Sequence, residues 1–98
     1  MGVKSSNHAP KFSLGQLVAT PGALDALAQS GQSPADFLSR HVRGDWGEVG
    51  DEDKGLNDEA LVHGTRLLSA YRTLRGVRIW VITEADRSST CVLLPEEY

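Results

Sequence analysis

The stretch Ile79–Tyr98, IWVITEADRSSTCVLLPEEY, decides the fold because two apolar runs flank a polar connection at residues 84–89. Alternation places Trp80 and Ile82 on one side of the first run, and apolar residues occupy the other side as well. This pattern is typical of a central strand that is covered on both faces. The Asp and Ser residues of the connection suit a turn. We therefore expect a hairpin of two strands, with Pro95 ending the second strand.

Two further runs extend this hairpin into a larger sheet. From Thr65 onward, the segments TRLLSAYR, GVRIWVITEA and TCVLLPEEY are rich in β-branched and aromatic residues. The connections TLRG and DRSS separate them. Loops of about four residues are too short for a parallel crossover, so these three strands should form an antiparallel meander.

The N-terminal half of the chain combines one strand with helices. The segment FSLGQLVAT, beginning at Phe12, alternates like a strand, and its glycine indicates a weak point or a bulge. Thr20-Pro21 is a helix start signal, and Gly31 is placed to end that helix. The segment SPAD at residues 33–36 repeats the start signal with a capping box, and Gly44 should end the second helix.

A third helix is expected to begin at Asp51 or at Leu56 and to end at His63. The predicted order is β-α-α-(α)-β-β-β, an α+β fold with a four-stranded, mainly antiparallel sheet and helices packed on one face. The small, polar, aperiodic start of the chain predicts a disordered N-terminal arm over residues 1–11. Residues 12–98 should form a single α+β domain.

The composition indicates a globular protein outside the membrane. Hydrophobic residues make up 40% of the chain and charged residues 23%, as in ordinary globular domains. No apolar run approaches the roughly 18 residues of a membrane span, and the N-terminus has no apolar signal core. The single cysteine, Cys91, is expected to be a small buried hydrophobe in a reducing compartment, or else a free reactive thiol. We therefore expect a cytoplasmic protein.

Charge is unevenly distributed, although the net charge is only −3. The segment Asp45–Glu59 holds seven carboxylates against one basic residue, Lys54. It is either a solvated acidic loop or an acidic face for a protein partner with a basic surface. Trp46 in this glycine-rich segment should be buried and should anchor the loop to the core. The candidate partner-binding residues are Asp45, Trp46, Glu48, Asp51, Glu52, Asp53, Asp86 and Arg87.

Most catalytic patterns are missing from the sequence. The glycines near position 50 lie among carboxylates, which would repel a phosphate, and the three histidines lack metal-site spacing. We therefore expect no catalytic residue, metal or cofactor of these kinds. One alternative is an RNA-binding face on the sheet, in which arginines hold phosphate and other groups move protons. Its candidate residues are Tyr71, Arg72, Arg75, Arg78, Glu84 and Arg87.

The element order and the segment VATPGALDAL resemble those of the RelE-type toxins, which cleave messenger RNA. This resemblance implies an endoribonuclease as the alternative function. Those toxins are strongly basic, whereas this chain has an isoelectric point near 5.5. An acidic protein is repelled by a polyanion unless its charges are well separated. Nucleic acid is therefore the less favoured partner.

A second resemblance covers nearly the whole of residues 12–98. The segments LGQLVATPGALDALAQSGQSPADFLSRHVRGDWGEV and IWVITEADRSSTCVLLPEEY, with LNDEAL and LLSAY between them, resemble a family of small bacterial plasmid and mobile-element proteins. Some of these proteins are called type I restriction–modification subunits. This chain has neither the cofactor glycine motif nor the target-base motif of an adenine methyltransferase. The resemblance therefore implies a mobile genetic element as the genomic setting, but no mechanism and no functional residue. Together with the missing catalytic patterns and the acidic segment around Trp46, it leads us to expect a non-catalytic protein-interaction module that modulates host defence or plasmid functions.

Overall fold

The computed structural model describes residues 9–98, and the α+β class predicted from the sequence is confirmed. In chain order the elements are β1 (Gln16–Ala19), α1 (Pro21–Gln29), α2 (Pro34–His41), α3 (Asp51–His63), β2 (Leu67–Arg72), β3 (Arg78–Thr83) and β4 (Ser89–Leu93). A short 3-10 helix, Pro95–Glu97, follows β4. None of the helices between residues 9 and 98 is long and apolar enough to cross a membrane.

Local signals in the sequence set the ends of the helices. The Thr20 side chain accepts a hydrogen bond from the Ala23 N–H at 3.2 Å and so caps α1. The Ser33 N–H donates to the Asp36 carboxylate at 2.9 Å, as expected of a capping box at the start of α2. Gly64 ends α3 with a left-handed φ of 72°, a conformation that glycine adopts without strain.

The four strands form one mixed sheet in the order β1-β4-β3-β2. The pairs β2–β3 and β3–β4 are antiparallel, which confirms the predicted meander. β1 lies parallel to β4, with Gln16 opposite Ser89 and Ala19 opposite Val92. The helical segments between β1 and β2 provide the long connection that a parallel arrangement requires.

The first strand is shorter than the sequence pattern predicted. β1 begins at Gln16 and not at Phe12, because Gly15 has a φ of 66°. A side chain at Gly15 would also overlap the backbone of Ser88. The preceding residues leave the sheet, and the Lys11 N–H donates to the Val42 carbonyl at 2.8 Å. Of the predicted N-terminal arm, residues 1–8 lie outside the described residues.

The main core lies between one face of the sheet and the first two helices. Its buried members are Ala23, Leu27, Phe37, Leu38, Tyr71, Ile79, Val81 and Val92. A second cluster of Trp46, Ala60 and Leu67 joins α3 and the preceding loop to the edge of the sheet. Because Leu67 pairs with Thr83 on the face that also carries Val81, α3 lies on the same side as the other helices.

The outer edge of β2 is covered by the chain itself. The Ala70 N–H donates to the Trp46 carbonyl at 3.1 Å, and Gly47 pairs with Ala70 as an isolated parallel bridge. At the middle of α3, the Asn57 side chain accepts from the Leu68 N–H at 3.1 Å and donates to the Leu68 carbonyl at 2.7 Å. These contacts satisfy backbone groups that an edge strand would otherwise expose.

Candidate interaction surface

Trp46 holds the segment between α2 and α3 in place. Its side chain is only 4% exposed, which confirms the predicted burial. The indole N–H donates to Asp58 Oδ1 at 3.1 Å, and the ring stacks against Phe12 with 6.3 Å between centroids. A ring enclosed in this way anchors the loop. Although Trp46 was a candidate partner-binding residue, its side chain is beyond the reach of a partner.

Two of the candidate carboxylates are held by arginines of the same molecule. Arg40 Nε lies 2.8 Å from an Asp45 carboxylate oxygen, and Arg72 Nε lies 2.9 Å from a Glu48 carboxylate oxygen. The hydrogen bond from Arg40 lowers the pKa of Asp45 below its ordinary value. The Asp45 carbonyl also accepts the Tyr71 hydroxyl at 2.6 Å. Asp45, in the loop that precedes α3, is therefore attached to both α2 and β2.

Arg87 joins the connection between β3 and β4 to the end of α3. Its guanidinium donates to the Ala60 carbonyl at 3.0 Å and to the Thr65 carbonyl at 2.7 Å. A cation is favoured there, because the carbonyls at a helix C-terminus carry partial negative charge. The neighbouring Asp86 accepts from the Ser88 N–H at 3.0 Å and so stabilises the turn. Arg87 thus contributes to the fold through contacts that a partner would have to break.

The remaining candidate residues lie in the first turn of α3. Asp51, Glu52 and Asp53 are exposed and form its first three positions. Of the two starts predicted for α3, the structure has the earlier one, at Asp51, so only the part of the acidic segment before Asp51 is a loop. The positive end of the helix dipole favours carboxylates at these positions, which gives them a structural role as well.

Two aliphatic side chains share the solvent-facing side of α3 with these carboxylates. Leu56 is 57% exposed and Val62 is 80% exposed. Glu59 is exposed between them, whereas Asn57 and Ala60 face inward. The sequence analysis did not single out Leu56 and Val62. A helical wheel starting at Asp51 places Val62 away from Asn57 and Ala60, whereas Leu56 lies one turn before Ala60, at the border of the inward side. We define the α3 surface as Asp51, Glu52, Asp53, Leu56, Glu59 and Val62.

The six residues of the alternative RNA-binding face do not form one surface. Tyr71 is buried against the helices with its ring stacked on Phe37 at 5.1 Å, whereas Arg72 and Arg78 pair across the opposite face. Arg75 lies in the exposed turn between β2 and β3, and Glu84 lies at the other end of β3. The inward position of Tyr71 follows from the period of two along β2.

A buried polar chain crosses the core beside Trp46. His41 Nδ1 lies 2.6 Å from the Ser69 hydroxyl, and Nε2 lies 2.9 Å from the Thr83 hydroxyl. Thr83 contacts Thr90 at 2.7 Å, and Thr90 donates to the Leu14 carbonyl at 2.8 Å. Since a carbonyl only accepts, Thr83 donates to Thr90 and accepts from a protonated Nε2. Ser69 then donates to Nδ1, which assigns the neutral Nε2–H tautomer to His41.

The contact between Ser69 and His41 resembles a nucleophile and its base, but it is sealed from solvent. Both side chains are 0% exposed, and the rings of Phe12 and Trp46 approach the imidazole edge-on. Burial lowers the pKa of His41 to about 4, so the imidazole is neutral at pH 7. No substrate reaches this pair in the folded molecule. Its hydrogen bond instead connects α2 to the sheet.

Comparison of the chain with known protein families, with curated proteins and with solved structures finds no match. Among residues 9–98, no three His, Cys, Asp or Glu side chains are grouped so that they could hold a metal ion. The same residues enclose no detectable pocket. The geometry of the α3 surface is thus the main structural basis for inferring a function.

Proposed function

We propose that this chain is a non-catalytic protein-interaction module of a mobile genetic element, and that its α3 surface binds a protein with a basic surface. The observation that carries the proposal is the contrast between the two sides of α3. The inward residues fix α3 to β2, whereas its exposed residues include four carboxylates and two aliphatic side chains. Modulation of host defence or of plasmid functions is the role that the sequence resemblance suggests.

The attachment of α3 favours binding because it holds the surface rigid before a partner arrives. Asn57 fixes α3 to Leu68, Asp58 fixes it to Trp46, and Arg87 binds the Ala60 carbonyl in its last turn. A surface that is already ordered loses less conformational entropy on association. The side chains that are free to bind are thereby presented at defined positions.

The chemistry of the α3 surface favours a basic partner. Within residues 9–98, Asp51, Glu52, Asp53 and Glu59 form no salt bridge. Complementary charge would speed the encounter with a basic surface and reject acidic competitors. Leu56 and Val62 add apolar area that a partner could remove from water.

A charge-neutralised variant tests the proposal. The change Asp51→Asn, Glu52→Gln and Asp53→Asn removes three charges from the α3 surface and keeps similar side-chain shapes. With a partner recovered from the host, we expect its association rate to fall about tenfold at low salt, because electrostatic steering is lost. The salt dependence of association should flatten in parallel. Stopped-flow or biosensor kinetics at two ionic strengths measures both effects.

The matched control carries the same change in net charge outside α3. Asp25→Asn, Glu84→Gln and Glu96→Gln neutralise three exposed carboxylates on other elements. This control should keep most of the association rate and its salt dependence. Equal binding by both triple variants would contradict a role for the α3 surface. Cleavage of messenger RNA that depends on Arg72 or Arg78 would contradict the non-catalytic assignment.

A further inference from the structure

The two edges of the sheet differ in how the chain treats them. The edge of β2 is covered by Gly47 and Asn57, as described above. β1 has only β4 as a neighbour within residues 9–98, and its outer side borders no other strand. Leu17 is 54% exposed and Val18 is 47% exposed, although both belong to a strand. One edge is thus protected, and the other presents apolar side chains to solvent.

The hydrogen-bonding groups on the open edge belong to alternate residues of β1. The N–H groups of Gln16 and Thr20 donate to the Ser88 and Val92 carbonyls of the β4 segment, each at 3.0 Å. In a parallel pair, the N–H and C=O of one residue point to the same neighbouring strand. The N–H and C=O groups of Leu17 and Ala19 therefore point outward, where a further strand would bind.

The charge distribution matches a second copy of the same strand. Residues 12–24 contain no Asp, Glu, Lys or Arg, and no other uncharged stretch of the chain is as long. Edge strands in proteins are usually protected by lysine, proline or a bulge. The segment QLVA of β1 has none of these. The residues of β1 therefore bring no charge of their own to a contact between two copies, and the nearest carboxylate on that side, Glu97, accepts the Thr20 hydroxyl just beyond the end of the strand.

We propose that β1 pairs antiparallel with β1 of a second copy, so that two four-stranded sheets join into one sheet of eight strands. The two-fold axis passes beside Val18, which then faces Val18 of the other copy. Leu17 forms a hydrogen-bonded pair with Ala19 of the other copy. By symmetry, Ala19 forms the same kind of pair with Leu17 of the other copy. The register forms four backbone hydrogen bonds, and two exposed valines come into contact.

The small size of the interface sets the expected affinity. Three paired residues from each copy bury less than the roughly 1,000 Å² that marks a stable specific interface. We therefore expect a dissociation constant of about 100 μM. Sedimentation equilibrium from about 10 μM to about 1 mM should show a shift from monomer to dimer, while a monomer at every concentration would overturn the proposal.

Val18→Lys is the variant that tests the register. It would place two ammonium groups opposite each other at the two-fold axis, and like charges directly opposite destabilise a strand pair. We expect the dissociation constant to rise about tenfold or more. The control Leu74→Lys adds the same charge at a side chain that is 81% exposed in the β2–β3 turn. It should dimerise like the parent chain. Circular dichroism checks that both variants are folded.

A mixture of two variants distinguishes a specific loss of strand pairing from a general loss of stability. Val18→Glu should also be monomeric by itself, because two carboxylates would meet at the axis. Equimolar Val18→Lys and Val18→Glu should form a heterodimer, in which opposite charges face each other across the axis. Hydrogen exchange of the Leu17 and Ala19 amides should slow in the mixture. A mixture that stays monomeric under conditions where the parent chain dimerises would overturn the proposed register.

Discussion

At the scale of single residues, stability in acid depends on His41. Its imidazole is 0% exposed, and its pKa is lowered to about 4 from an ordinary value of 6.5. Between these values the unfolded chain binds a proton that the folded chain does not bind. Stability should therefore fall as the pH decreases through this window. We expect a loss of about 2 kcal/mol between pH 7 and pH 5, measured by urea denaturation.

The variant His41→Gln isolates this contribution from that of the carboxylates. Glutamine can both accept and donate, so it can keep part of the contact with Ser69 or Thr83. The variant should be less stable at pH 7, but its unfolding free energy should change less between pH 7 and pH 5. An equally steep dependence in the variant would show that groups other than His41 cause the acid sensitivity.

Trp46 is the residue on which the position of the preceding loop depends. Trp46→Ala would remove the stacking on Phe12, the hydrogen bond to Asp58 and the edge-on contact with His41. We expect it to destabilise the fold by roughly 3–5 kcal/mol, the usual range for a large buried aromatic. Thermal denaturation measures the loss, and an unchanged melting temperature would contradict the anchoring role. The smaller change Asp58→Asn separates the hydrogen bond from the packing.

At the scale of elements, the protected edge of β2 depends on a glycine. Gly47 has a φ of 74°, and an added Cβ would overlap the Ala70 carbonyl and the Tyr71 ring. Gly47→Ala should therefore destabilise the fold by about 2 kcal/mol or more, through backbone strain and the lost bridge to β2. The matched change Gly55→Ala lies in α3, where an added Cβ has no atom within 4 Å.

Gly55→Ala should raise stability by about 0.5–1 kcal/mol, since alanine loses less entropy than glycine in a helix interior. Chemical denaturation of both variants measures the change in the free energy of unfolding, which should be a decrease for Gly47→Ala and an increase for Gly55→Ala. A stabilising Gly47→Ala would mean that the loop can leave the β2 edge without loss.

The acidic first turn of α3 affects stability as well as the proposed binding. The change Asp51→Asn, Glu52→Gln and Asp53→Asn removes carboxylates from the positive end of a helix dipole. We expect it to lower the free energy of unfolding by about 1 kcal/mol at low salt, and less at high salt. Thermal melts at two salt concentrations measure this. A rise in stability would show that repulsion among these carboxylates outweighs their interaction with the dipole.

The sequence predicted helix limits well where the signal is local. The caps at Thr20 and Ser33 and the stop at Gly64 depend on residues within one turn, so a short window contains the information. The alternation of residues predicts that β1 begins at Phe12, because the pattern continues through Gly15. In the structure β1 begins only after Gly15, whose positive φ goes with its close contact with Ser88, and this contact is not visible in a short window of sequence. The sequence leaves two starts open for α3, Asp51 and Leu56, because the acidic residues before Leu56 suit a loop as well as the positive end of a helix dipole.

At the scale of the whole molecule, the α+β class and the antiparallel meander of β2, β3 and β4 could be predicted from the spacing of apolar residues along the chain. The candidate site was predicted less well, because its residues were grouped by charge and by sequence distance. Arg87 and Glu48 carry charges that the fold itself uses, and this becomes visible only when α3 and β2 are placed side by side. The period along β2 would have shown that Tyr71 and Arg72 face opposite ways.

The parallel pairing of β1 with β4 has a consequence for the chain during synthesis. Gln16 pairs with Ser89, so the strand made first finds its neighbour only 73 residues later. Until Ser89–Leu93 leaves the ribosome, α1 and α2 lack part of the surface that covers Leu27 and Phe37. Such non-local contacts form slowly and leave apolar side chains exposed in the meantime. A nascent chain of this fold should therefore depend on chaperones until its last strand emerges.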